Sequence, residues 1–147
     1  MAGKRKPRKK TAKKKSDAVV ARGKRKTSVA RATVKKGKGN VRVNSKLVEG
    51  LNNSYLVGII MEPLGYVGPE ANNIDVSVNV SGGGTMGQAQ AVRTAIAKAL
   101  VEYFPKLDLK KKFLEIDRSL VIEDPRRVEP KKYRGPKARA RFQKSYR

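Results

Sequence analysis

The chain has 147 residues and a formal net charge of +24, from 36 Lys and Arg against 12 Asp and Glu. That length suits one core with appendages rather than two domains, and a charge this large opposes compaction unless a polyanion neutralises it. Cys and His are both absent, which excludes zinc fingers, disulfide scaffolds, Cys nucleophiles and His general bases. The pI near 10.7 fits nucleic acid as the partner best, with an anionic membrane surface next. The longest nearly unbroken apolar run, Tyr55 to Met61, falls far short of the roughly 20 residues of a membrane span. The cationic start has no apolar stretch behind it, so no secretory signal is expected and the chain is placed in the cytoplasm.

Charge divides the chain into three parts. Residues 1–21 form a Lys-rich arm, 22–124 a globular part, and 125–147 a basic tail. The arm has almost no large apolar residue before Val19, so it cannot offset the entropy of ordering and is expected to be disordered. Its KRKPRKK run also has the composition of a nuclear import signal. The tail carries Pro125, Pro130, Pro136 and Gly135, which oppose helix and favour an extended strap.

The first element of the globular part begins at Ser28, where Ser28, Ala30, Ala32 and Val34 alternate with Val29, Arg31, Thr33 and Lys35 as in a half-buried strand. Lys36 to Asn40 supplies the glycines of a hairpin turn, and Val41, Val43, Leu47 and Val48 continue as a second strand. A helix over Leu51 to Met61, stopped by Pro63 and Gly65, follows. Asn73 to Val80 is the clearest strand, with Ile74, Val76, Val78 and Val80 on one face. After Ser81-Gly82-Gly83-Gly84, a central helix runs from Thr85 to Phe104, where Pro105 closes it. A short helix over Leu107 to Ile116 and a last strand over Ser119 to Ile122 complete an α+β layer arrangement.

Gly82 to Gly87 fits G-x-G-x-x-G between a strand and a helix, the setting of a dinucleotide fingerprint. The acidic residue that should end the next strand instead falls at Glu102 inside the central helix, and Gln88 occupies the place of a Walker lysine. The glycines are therefore read as a sharp turn and a close helix-to-sheet contact, with RNA phosphate on the helix amides as the alternative. Asp108 with Glu115, and Asp117 with Glu123 and Asp124, have no diagnostic spacing, and ion pairing with Lys110 to Lys112 or Arg126 and Arg127 accounts for them. No enzyme, cofactor or metal site is expected.

Basic clusters at both ends of one core go beyond what solvation requires, whereas phosphate neutralisation with counterion release gives them a use. Tyr133, Phe142 and Tyr146 stand among Lys and Arg in the tail, where their rings can stack on exposed bases.

Gly23 to Ala32 (GKRKTSVARA), Gly37 to Asn44 (GKGNVRVN) and Ser81 to Leu100 (SGGGTMGQAQAVRTAIAKAL) together resemble the small-subunit ribosomal protein family usually numbered nine. The likeness spans about Arg22 to Arg147, and the ending KARARFQKSYR, Lys137 to Arg147, is similar to the archaeal and eukaryotic form. The resemblance implies a two-layer α/β sandwich like the second domain of the small-subunit protein numbered five, with a left-handed crossover. It implies a place in the head of the small subunit, with the globular part on ribosomal RNA, the tail at peptidyl-site tRNA and neighbouring head proteins as partners. No membrane and no small-molecule substrate is implied.

On the globular part the RNA contacts are assigned to Arg22, Lys24, Arg25 and Lys26, then Arg31, Lys36, Lys38 and Arg42. On the tail they are assigned to Arg126, Arg127, Lys131 and Lys132, then Arg134, Lys137, Arg139 and Arg141. Carried over by position, the tRNA contact falls to Lys144, Ser145, Tyr146 and Arg147, the last able to make bidentate phosphate contacts. Pro130 departs from the family pattern, so the path of the strap is expected to differ there. A DNA-compacting protein and a small kinase of related fold are the alternatives. Preference for folded rRNA over duplex DNA separates the first, and thermal shift with ATP the second.

Overall fold

A computed structural model of the chain describes residues 18–145. Five strands form one sheet: β1 (Val19–Arg25), β2 (Ser28–Lys36), β3 (Val41–Val43), β4 (Lys46–Leu47) and β5 (Ile74–Ser81). Three α-helices accompany them: α1 (Ser54–Gly65), α2 (Thr85–Tyr103) and α3 (Leu109–Ile116). The sheet order is β1-β2-β5-β3-β4, antiparallel except where β3 runs parallel to β5. The result is an α+β domain with α2 laid across β1, β2 and β5, and α1 packed against α2.

Period-two patterning decides which face of the sheet is covered. In β2 the residues Ser28, Ala30, Ala32 and Val34 are buried, and in β5 Ile74, Val76, Val78 and Val80 are. Burying an aliphatic side chain of this size contributes about 1.5–3 kcal/mol. The helix supplies Ala91, Val92, Ala95, Ile96, Ala99 and Leu100 to the same core. Small residues dominate where α2 crosses β1, and there Gly23 faces the helix backbone. A Cβ on Gly23 would stand 2.5 Å from Ala95 N and 3.0 Å from Ala95 Cα, closer than atoms pack. Phe113 of α3 and Leu120 close the end of this core and are fully buried.

Several expectations change. Val19 to Ala21 were assigned to the arm but belong to β1, which pairs with β2 through a two-residue turn at Lys26-Thr27. The remaining arm, residues 1–17, lies outside the described residues. Lys36 to Asn40 is not a hairpin: β5 lies between β2 and β3, and the segment crosses the end of β5. Asp75 of β5 holds it there, its Oδ1 accepting from the backbone N–H of Lys38 at 2.9 Å and of Asn40 at 3.2 Å. The second strand is broken into β3 and β4 by Asn44 and Ser45, both at positive φ. Asn44 also joins β3 to β5, donating to Val80 O and accepting from Val80 N.

The first helix starts three residues later than expected, because the Asn53 side chain accepts from the N–H of Tyr55 and Leu56 as an N-cap. It also runs through Pro63, which is buried in its last turn and gives up one helical hydrogen bond there. The last predicted strand is instead a 3₁₀ turn, Arg118–Leu120. Asp117 stabilises that turn by accepting from Ser119 N at 2.8 Å and Ser119 Oγ at 2.7 Å.

Candidate nucleic-acid interface

The face of the sheet away from the helices is open, and the same alternation that builds the core gives this face its charge. Arg22, Arg31 and Arg42 project on it and are exposed. The register sets Arg22 opposite Arg31, Arg31 opposite Asn79, Thr33 opposite Ser77, and Ser77 opposite Arg42. Three guanidinium groups are thus spread over four strands, with hydroxyl and amide side chains between them. Like charges directly opposed across a strand pair destabilise a free sheet. Among the described residues none of the three arginines forms a salt bridge. Such an arrangement suits a polyanion that neutralises all three together.

Lys24 shares the parity of Arg22 and borders this face; Lys36, the last residue of β2, has the opposite parity but is exposed at the strand's end, and Lys38 is exposed in the segment that follows. Lys26 is exposed at the tip of the β1–β2 turn, at φ 53°. Lys35, placed on the outer face of its strand by the sequence pattern but left out of the assigned RNA contacts, lies on the open face beside Asp75. Its parity with Arg31 was the available signal.

Other predicted contacts are engaged within the protein. The Nε of Arg25 donates to Gln90 Oε1 at 2.8 Å, and its guanidinium pairs with Asp124. Arg126 grips the same carboxylate, with Nη2 at 2.6 Å from Oδ2. These hydrogen bonds from Arg126, reinforced by the charge of Arg25, hold Asp124 far below the usual carboxylate range. Arg127 donates to the carbonyl of Lys26, so the root of the tail is fastened to the β1–β2 turn. The acidic residues near the chain's end therefore fix structure. Lys98 pairs with Glu123 at 2.8 Å, and Arg93 bridges Glu62 of α1 and Asp117 at 2.6 and 2.7 Å. Burial alone would raise Asp117, but the Ser119 hydrogen bonds and Arg93 outweigh it and leave it below the ordinary value. The expected pairing of Asp124 with Arg126 is present, whereas Arg93, Lys98 and Arg25 were not anticipated as partners.

The glycine loop has a packing role. Gly82 and Gly83 take φ 77° and 68°, which glycine alone adopts readily. A Cβ on Gly83 would collide with Ser28 Oγ, and one on Gly87 would stand 2.9 Å from it. Ser28 Oγ, 1% exposed as a residue, donates to Gly82 O at 2.9 Å. The loop is thereby pressed onto the start of β2, and α2 begins at the sheet surface.

Among its described residues the tail has neither helix nor strand, yet it is not an extended strap throughout. Arg139 makes a two-pronged pair with Glu129, at 2.7 and 3.1 Å. The N–H of Phe142 donates to Arg134 O at 3.3 Å, and Arg141 Nη1 to Tyr133 O at 3.1 Å, so the chain folds back on itself. A proline-containing segment can do this because Gly135 passes against Ala140 O without a side chain. Lys131, Lys132, Arg134, Lys137, Arg141, Lys144 and Ser145 are exposed, and Tyr146 and Arg147 lie outside the described residues. Among the described residues no helix is long and apolar enough to cross a membrane.

Residues 23–147 match the family model described as ribosomal protein S9/S16. The chain belongs to this ribosomal protein family. It is 48% identical over 129 residues to the small ribosomal subunit protein uS9 of Methanococcus maripaludis, covering 85% of this chain and 95% of that protein. The uS9 protein of Desulfurococcus amylolyticus is 50% identical over 129 residues, covering 88% and 92% of the two chains. That of Halobacterium salinarum is 49% identical over 126 residues, covering 85% and 96%. Membership of the S9/S16 family makes the chain a structural, non-enzymatic protein, in keeping with carboxylates that pair with Arg and Lys.

Proposed function

We propose that this member of the S9/S16 family is built into the head of the small ribosomal subunit, where the open sheet face lies on ribosomal RNA and the tail reaches peptidyl-site tRNA. Family membership supports the coarser part of this: a small-subunit ribosomal protein that binds rRNA and works in translation in the cytoplasm, beside other ribosomal proteins. The single observation that carries the placement of RNA is the unpaired set Arg22, Arg31 and Arg42 on an uncovered sheet face.

The mechanism is electrostatic. The open face supplies guanidinium groups from rigid strands, so the backbone needs no ordering when they bind phosphate, and the condensed counterions released from RNA provide the driving force. Lys24, Lys26, Lys36 and Lys38 extend the contact along the rim. The tail adds Lys131, Lys132, Arg134, Lys137 and Arg141, while Arg25, Arg126, Arg127 and Arg139 set the course of the chain between these surfaces. Lys144, Ser145, Tyr146 and Arg147 then form the tRNA contact. The fold is that of the second domain of the small-subunit protein numbered five, a reading supported by β5 lying between β2 and β3 and by helices on one face.

Two variants test the two halves of this proposal in reconstituted small subunits. Replacing Arg22, Arg31 and Arg42 by Ala is expected to weaken incorporation at raised salt while the free protein melts no lower than before. Truncating Lys144 to Arg147 is expected to leave incorporation intact and weaken tRNA retention in the peptidyl site. Unchanged peptidyl-site affinity after truncation would remove the tRNA assignment.

A further inference from the structure

Tyr133 and Phe142 are 87% and 65% exposed, although both are large aromatic side chains on an ordered segment. Phe113 is fully buried and Tyr103 and Phe104 pack edge to face at 4.8 Å, whereas Tyr55 on α1 is exposed with no aromatic or cationic neighbour on it; among the described residues only the tail sets two exposed rings around one groove. The exposed pair is brought together by the fold-back of the tail. The Glu129–Arg139 pair, the Phe142 N–H on Arg134 O and the Arg141 guanidinium on Tyr133 O fix this loop, and Gly135 allows its close crossing at Ala140. The two rings, with Arg134, Arg141, Gln143 and Lys144, line an open groove of about 570 Å³. Arg134 stands over the Tyr133 ring at 5.5 Å from its centroid, which leaves the rest of that ring to solvent.

We infer that this loop is a clamp for one unstacked RNA nucleotide, its base against Tyr133 and Phe142, its phosphate on Arg141 and Lys144, and its edge within reach of the Gln143 amide. The inference rests on the RNA-binding function proposed above and adds a site to it. Two aromatic faces accept any base, because every base has a π-face, and the guanidinium of Arg134 can stack in the same column. Three cations around the groove disfavour an apolar peptide side chain and favour a ligand that combines a flat ring with negative charge. Because the loop is already closed by its own ion pair and hydrogen bonds, little further ordering is needed on binding. The sheet face, by contrast, offers guanidinium groups without aromatic rings and reads phosphates alone.

The test compares two probes of equal charge on the full chain: an octa-adenylate and an abasic ribose-phosphate octamer. Stacking of one base predicts about a tenfold tighter Kd for the octa-adenylate at the same salt. The Y133L/F142L double variant is expected to bind both probes alike, at the affinity of the abasic one, with an unchanged melting curve because neither ring touches the core. Gly135→Val, which leaves both rings in place but blocks the crossing at Ala140, is expected to lose the same preference. Equal affinity of the wild-type chain for both probes, or a preference that survives in Y133L/F142L, overturns the clamp while leaving phosphate binding intact. Failure of even the abasic octamer to bind at low salt would instead remove the underlying RNA-binding function.

Discussion

Gly23→Ala isolates the close contact between β1 and the backbone of α2. The new methyl carbon would point at the α2 backbone, 2.5 Å from Ala95 N and closer still to Ala91 O, and neither atom can rotate away. Gly23 is not at positive φ, so the substitution adds no backbone strain of its own and the effect reports packing alone. Relief requires α2 to lift from β1, loosening Ala91, Ala95 and Leu100 together. Overpacking of a core costs typically about 1–3 kcal/mol, and a collision with backbone atoms of two successive turns of α2 belongs at the upper end, about 3 kcal/mol. For a domain of this size that corresponds to a fall in Tm of roughly 10 °C. Gly58→Ala is the control: it lies inside α1 with nothing within 4 Å, and is expected to gain about 0.5–1 kcal/mol from helix propensity. Thermal melts by circular dichroism decide. A Gly23→Ala protein melting within a few degrees of wild type would refute the close seating of α2 on β1.

Further outcomes follow from the same structure. Phe113→Ala is expected to lose about 3–5 kcal/mol in urea unfolding, since a fully buried ring at the end of the core leaves a cavity there. Asp75, Asp117 and Asp124 are all held below the ordinary carboxylate value in the folded chain, Asp75 chiefly by the Lys38 and Asn40 N–H groups. A depressed carboxylate stabilises the fold fully above its unfolded pKa and loses that contribution as pH falls through the folded one. The urea midpoint should therefore be level from about pH 7 to 5, where no His titrates, and drop below about pH 4; a rise on acidification would contradict it. Asp124→Asn should speed amide exchange at Arg126, whose N–H donates to Asp124 Oδ1 at 2.8 Å, without changing exchange in β5. Alanine at Arg22, Arg31 and Arg42 should flatten the slope of log K against log salt for RNA by about 2 to 3, one phosphate contact per residue.

Much of this fold was legible because burial is one-sided. The alternation in β2 and β5 and the alanine-rich periodicity of α2 specify elements whose partners are uniform and apolar, so local pattern and tertiary context agree. What escaped was decided by contacts distant in sequence. The path of Lys36 to Asn40 depends on Asp75, about 35 residues away, and a glycine-rich segment before a strand looks the same whether it turns back or crosses over. Asp117 and Ser119 fold their neighbours into a turn through side-chain bonds that hydropathy does not register. The basic character of the interface was equally plain from composition, but its division was not. Arg31 and Arg25 look alike in sequence; parity sends one to the open face and turns the other toward Gln90 and Asp124. The tail's prolines suggested an extended course, and the fold-back is decided by the Glu129–Arg139 pair and the hydrogen bonds of Phe142 and Arg141 to Arg134 and Tyr133.

The central claim is that the arginines of the open sheet face seat this chain on small-subunit RNA. The most direct measurement is sedimentation of the tagged protein through a sucrose gradient after a high-salt wash, wild type beside the Arg22, Arg31 and Arg42 alanine variant. The wild type should remain with the small subunit and the variant should be released at a lower salt concentration. If both leave together, or both travel with DNA, the charge acts without a specific seat and the sheet face is not where RNA binds.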